Sequence, residues 1–166
     1  MSFLDSADDD PKRAARRPLL AFLIITLAVG ALASVFTEPN ISTWYAGLAH
    51  PSFAPPNWVF APVWTTLYVL MAVAAWRVWR IAGTRSLEMG IYALQLFFNF
   101  LWSAIFFAMH EIGLALADIG LMLLLILATL FLFWRRDRLA GILFLPYLVW
   151  TGFAAALNQA FWALNP

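Results

Sequence analysis

"PSFAPPNWVFAPVWTTLY", residues 51–68, sets four prolines and two tryptophans in front of a long apolar run. Proline fixes φ, withholds a backbone donor and biases the residue before it to an extended form. The start of this stretch therefore reads as stiff, extended chain rather than as helix. From Trp58 onward the chain is apolar for the length of a bilayer crossing, which takes about 20 residues. A rigid, aromatic connection that opens onto a span predicts a membrane protein with structure outside the hydrocarbon.

The composition agrees. The chain has 166 residues, of which 64% are hydrophobic and 11% charged. Soluble domains are nearer half apolar and a quarter charged. The sequence contains no cysteine, which excludes disulfides and thiolate metal sites.

Moving outward from the opening stretch, five apolar runs are long enough to span. They are Pro18–Phe36, Trp58–Trp79, Gly90–Met109, Ile112–Trp134 and Leu139–Ala163, the last containing Pro146. The expected fold is an all-α membrane protein, a bundle of five transmembrane helices over residues 18–166. Residues 1–17, acidic then basic, are expected to form a disordered cytoplasmic tail. A basic stretch ahead of an apolar run also occurs in cleaved leaders. Here the run is long, and no A-x-A site is followed by a soluble domain, so span one is read as a retained helix.

Charge placement supports the count. The basic residues are Lys12, Arg13, Arg16, Arg17, Arg77, Arg80, Arg85, Arg135, Arg136 and Arg138. All precede span one or lie between spans two and three or four and five, so five spans bring them to one side. The positive-inside rule then predicts a cytoplasmic N-terminus and an outside C-terminus, as for a bacterial inner membrane. These basic clusters are small and lie next to the membrane, which argues against a nucleic-acid site.

The long connection between spans one and two would lie outside. Connections of this length without regular structure tend to be functional or disordered. Trp44, Tyr45, Phe53 and Trp58, together with Pro51, Pro55 and Pro56, fit a rigid aromatic lid better than a simple interfacial belt.

Polar residues inside the spans recur at helical spacing. Gln95, Asn99, Trp102 and Ser103 share one face of span three; Trp150, Ala154 and Asn158 share one of span five; Trp64 and Tyr68 are a turn apart in span two. Such residues normally face the bundle interior, as interhelical hydrogen-bond partners or as site residues. Asp118 is the one acid deep in an apolar run, with no intramembrane cation to pair with it. Pro146 is expected to kink span five, freeing a carbonyl near Ile142 and splaying the bundle near Trp150. Spans two, three and five would then frame an aromatic pocket with a few amides, suited to a large, flat, apolar ligand. No nucleotide, zinc-protease or nucleophile-elbow motif occurs. His50 and His110 both fall near loops and are read as interfacial residues, and no metal site is expected.

Three stretches carry a resemblance. "WYAGLAHPSFAPPNWVFAPVWTTLY" (residues 44–68), "QLFFNFLWSAIFF" (95–107) and "PYLVWTGFAAALN" (146–158) resemble the translocator protein family, whose bacterial members are called tryptophan-rich sensory proteins and whose animal members are called peripheral benzodiazepine receptors. The resemblance runs from span one to the end of span five. It implies a five-helix bundle, a homodimer, and a pocket for porphyrins, haem-pathway intermediates, sterols and benzodiazepine-type drugs under the loop after span one. Porphyrin or haem would be a ligand, and no cofactor would be required. Carried over by motif, the ligand-binding residues are Tyr45, Pro55, Trp64, Tyr68, Asn99, Trp102, Asp118, Trp150 and Ala154. In some bacterial relatives the tryptophans matching Trp64 and Trp150 are linked to light-dependent porphyrin breakdown, which makes these two candidate catalytic residues of an alternative, enzymatic reading. The C-terminus departs from the sterol-binding pattern. "QAFWALNP" after Asn158 has no tyrosine and no basic residue, which disfavours a sterol.

Overall fold

A computed structural model describes residues 11–166, with side chains from residue 17 onward. It is all-helical among the described residues. Helix α1 spans Pro11–Ile41, α2 Phe60–Ala82, α3 Leu87–Ser103, α4 Ile112–Arg136 and α5 Arg138–Leu164. Five segments in these helices are long and apolar enough to cross a membrane. The protein is thus a five-helix, multi-pass membrane protein.

Helix α1 starts before the expected Pro18 and ends beyond Phe36, running through Pro18 and Pro39. Of the tail expected over residues 1–17, residues 11–17 are helical and belong to α1, and residues 1–10 lie outside the described residues. Helix α5 likewise runs unbroken through Pro146, which sits on its exposed outer face.

The helices close into a ring in the order α1–α2–α5–α4–α3, each packed on two neighbours. The inner surface is large and apolar: Met71, Val78, Ile119, Met122, Ile126, Phe133, Phe144 and Tyr147 are fully buried. Large apolar side chains such as Ile24, Leu124, Phe131 and Val149 point outward. In water such a surface would mark an interaction patch; on a membrane protein it is the lipid face.

One end of the ring is charged, as the sequence predicts. Arg77, at the end of α2, pairs with Asp137 between α4 and α5 at 2.7 Å. Arg136, at the end of α4, pairs with Glu88 at the start of α3 at 2.6 Å. Asp137 also caps α5, accepting from the Leu139 and Ala140 N–H groups at 2.9 and 3.2 Å. That cap permits a connection of one residue between α4 and α5. Ser86 caps α3, and Gly83, at φ 78°, ends α2 in the left-handed region that glycine tolerates.

The opposite end carries the long connection. It is folded down onto the bundle. Ala49 N–H donates to Asn165 Oδ1 at 2.8 Å and the Asn165 amide returns a bond to Ala49 O at 3.1 Å. Trp44 stacks on His110 with centroids 4.3 Å apart. His110, at φ 59°, turns the chain between α3 and α4, and its ring lies 3.2 Å from Asn40 Oδ1.

Candidate functional site

Beneath this connection lies a cavity of about 700 Å³. Its walls come from α1, α2, α3, α4 and α5 and from the connecting segment, so it is a property of the whole ring. Gly30, Ala33 and Ser34 of α1 face Trp64 and Tyr68 of α2, Asn99 and Trp102 of α3, and Ala154 and Asn158 of α5. Tyr45 closes the top. It is buried against Phe107 and Phe161, with centroids 5.9 and 5.2 Å away.

Local structure explains the aromatic density. Past Ser103 helix α3 widens into a π-turn over Ala104–Ala108. A π-turn adds a residue to the turn and rotates the side chains beyond it. Phe106 and Phe107, adjacent in sequence, are therefore both buried and both line the cavity. Gly30 serves a second need. A Cβ there would stand 2.3 Å from Tyr68 Cε2, so only glycine lets the tyrosine ring pack on α1.

The interior amides are engaged, except that Gln95 Nε2 has no hydrogen-bond partner. Tyr68 O–H donates to Asn99 Oδ1 at 2.6 Å, and Asn99 Nδ2 donates to Tyr147 Oη at 3.1 Å. Tyr147 O–H donates to Gln95 Oε1 at 3.0 Å. Trp102 Nε1 donates to Asn158 Oδ1 at 3.0 Å, and Asn158 Nδ2 to Ile112 O at 2.9 Å. These chains tie α2, α3, α4 and α5 together, which is how polar groups persist in an apolar bundle. The two readings of these residues coincide: Asn99 and Asn158 are interhelical partners and cavity walls at once.

Six of the nine expected binding residues meet at the cavity: Tyr45, Trp64, Tyr68, Asn99, Trp102 and Ala154. Three stand elsewhere. Pro55 lies in the connection and is half-buried, away from the wall. Asp118 is buried on α4 beside the lining residue Ile119, with no hydrogen-bond partner for either carboxylate oxygen. Trp150 faces a separate, apolar groove between α2 and α5, with Pro62, Pro146 and Phe153. Helix geometry accounts for this. The inward face of α5 runs through Phe144, Tyr147, Thr151 and Asn158, all buried. At about 100° per residue, Trp150 falls on the flank of that face, towards α2. There its ring meets Phe60 at 5.9 Å. Trp64 and Trp150 therefore do not share a cavity, contrary to the expectation from spacing.

Spacing also missed one wall. The pocket was expected among spans two, three and five, yet α1 supplies a whole side. The small residues Gly30, Ala31, Ala33 and Ser34 in "GALAS" are the signal for it, since they leave room next to a neighbouring helix. Among the described residues no cluster of His, Asp or Glu is arranged to hold a metal.

Known proteins give this arrangement a family. The TspO/MBR family profile matches residues 22–163. A tryptophan-rich sensory protein of Cereibacter sphaeroides is 41% identical over 144 residues, covering 87% of this chain and 90% of that protein. Protein CrtK of Rhodobacter capsulatus is 37% identical over 148 residues, covering 87% of this chain and 91% of its own length. The translocator protein of Sus scrofa is 37% identical over 152 residues, covering 89% and 90%. With its profile matched across all five helices and relatives in bacteria and animals aligned over nearly their whole length, this chain belongs to the TspO/MBR family.

Proposed function

We propose that the protein is an integral membrane receptor or transporter for porphyrins and related tetrapyrroles, with a regulatory or stress-sensing role. The ligand would sit in the cavity beneath the connection between α1 and α2, where benzodiazepine-type drugs would compete for it. The observation that carries this reading is the cavity itself. Its volume of about 700 Å³ falls in the range of roughly 300–1,000 Å³ typical of small-molecule sites. Its wall is mostly apolar, with Trp64, Tyr68, Trp102 and Phe106 offering ring faces for a flat molecule. The tetrapyrrole is a ligand in this proposal, a homodimer is its assembly, and sterol forms no part of it. The N-terminus is taken as cytoplasmic, on the positive-inside rule.

Titration of purified protein with protoporphyrin IX, read by tryptophan fluorescence quenching, tests the proposal. Saturable quenching that weakens in Ala154→Thr is the expected result. Overfilling a packed wall costs about 1–3 kcal/mol, so the variant should bind at least about fivefold more weakly and remain folded. Quenching that is linear in porphyrin, or identical in the variant, would sink it.

An enzymatic reading, light-driven porphyrin degradation, draws support from Trp64, which lines the cavity, and none from Trp150, which lies outside it. Illumination of the protoporphyrin complex tests it, with ring-opened product lost in Trp64→Phe as the supporting outcome.

A further inference from the structure

The cavity carries charge of one sign. Glu38, near the C-terminus of α1, is exposed and forms part of its wall. Among the described residues, no lysine or arginine lines it. Asp118, the residue before the lining Ile119, is buried without a hydrogen-bond partner. At the far end of the ring, Arg77 and Arg136 are held by Asp137 and Glu88. Arg17, Arg80, Arg85, Arg135 and Arg138 lie near helix ends on that same side. The two histidines near the cavity do not line it: His50 contacts Tyr45 O, and His110 is stacked on Trp44.

We propose that the site selects its ring ligand by charge, with Glu38 as the residue that sets the selection. Tetrapyrroles whose acid side chains are esterified or amidated, and rings bearing a cationic substituent, bind in preference to rings with ionised carboxylates. The inference rests on the tetrapyrrole reading and names the class of tetrapyrrole. A propionate entering this cavity leaves water, meets no cation in compensation, and approaches a carboxylate of like sign. For two unit charges in close approach in bulk water, the setting of an exposed Glu38, one such repulsion corresponds to roughly fivefold in affinity. An ester or amide escapes it and can still accept hydrogen bonds.

The test uses the full chain in nanodiscs of zwitterionic lipid. Protoporphyrin IX and its dimethyl ester are titrated into wild type, Glu38→Gln and Glu111→Gln. The two rings partition differently into lipid, so the quantity read is the ratio of their affinities compared between variants, in which partitioning cancels. The ratio of ester to diacid affinity should be higher in wild type than in Glu38→Gln. Glu38→Gln should tighten the diacid by threefold or more and leave the ester within twofold. Glu111→Gln, an exposed acid at the same end but off the cavity wall, should change neither. Equal effects of Glu38→Gln on both rings, or diacid binding that is no tighter in Glu38→Gln, overturn the proposal. If neither ring binds any variant, the tetrapyrrole reading fails separately. The charge selection is then read with 1-pyrenebutanol and 1-pyrenebutyrate. A preference for the alcohol that Glu38→Gln abolishes upholds it, and equal quenching in wild type and Glu38→Gln overturns it.

Discussion

Gly30 and Asn99 show how single positions hold the cavity open. The Tyr68 ring fills the space where a Cβ on residue 30 would stand, and its hydroxyl is fixed by Asn99 at 2.6 Å. Gly30→Ala must push the ring away and stretch or break that bond. Overpacking of this kind costs about 1–3 kcal/mol, so thermal unfolding in detergent should move down clearly. Gly120→Ala, where nothing lies within 4 Å, should be neutral or stabilising, as alanine is the better helix former. An unchanged midpoint in Gly30→Ala would show that α1 moves aside to accommodate the methyl. Asn99→Leu leaves the Tyr68 hydroxyl without its partner in the bundle interior, and an orphaned buried group costs about 1–3 kcal/mol. The two tryptophans separate in the same way. Trp64→Phe should cost about 1–2 kcal/mol of porphyrin binding, the scale of lost ring contact and indole N–H. Trp150→Phe should leave affinity unchanged, since its ring lies in the α2–α5 groove. Equal losses in both, measured by titration, would bring Trp150 back to the ligand.

At the scale of elements, the α4–α5 hairpin and the long connection act as two fastenings at opposite ends of the ring. Gly141 lets α5 approach α4: a Cβ there would stand 2.6 Å from Trp134 Cε3 and 3.0 Å from the Trp134 Cα. Asp137 joins the hairpin to α2 through Arg77. Burial alone would raise its carboxyl. The hydrogen bonds from Arg77, Ala140 and Leu139, with the charge of Arg77, outweigh this and hold it below the ordinary aspartate value of 3.8. A carboxyl whose folded value is depressed binds protons more readily when unfolded. Its stabilisation is therefore complete well above 3.8 and is lost as pH falls through the lower folded value. The stability difference between wild type and Asp137→Asn should be constant near neutral pH and shrink on acidification. A difference that grows towards low pH would contradict the pairing. At the other end, the connection is held by Asn165 and by the Trp44–His110 stack as well as by its prolines. Asn165→Ala should quicken porphyrin dissociation more than Pro55→Gly and Pro56→Gly combined. Those two substitutions return only about 0.4–1 kcal/mol of chain entropy each, and Pro55 is off the cavity wall. Stopped-flow dissociation distinguishes the two cases.

For the molecule as a whole, the features legible in the sequence are those that depend on runs and charges. Five apolar lengths and the positions of ten basic residues fix the number of spans and bring the described basic residues to one end. Spacing along one helix puts Asn99, Trp102 and Ala154 on inward faces, and all three line the cavity. It failed at the edges of faces and between helices. Trp150 is only a fraction of a turn from the interior, and whether a flank meets the cavity or a groove depends on which helix is next to it. The order α1–α2–α5–α4–α3 puts α2 there, and no one-dimensional pattern states that order. The π-turn that brings Phe106 and Phe107 inward together, and the role of α1 as a wall, are hidden for the same reason. The sidedness of the ring comes from charge rather than from packing, and it can be tested apart from any ligand. The cavity end and the arginine end must face opposite compartments, since each helix crosses once. A single cysteine at Ser42, on the cavity end, should react with an impermeant maleimide in intact bacterial cells. One at Arg85, between α2 and α3, should react only after the membrane is opened. The chain has no native cysteine to compete. Labelling of Arg85→Cys but not Ser42→Cys in intact cells would invert the protein, placing the cavity mouth and Glu38 in the cytoplasm, while labelling of both would rule out a single orientation.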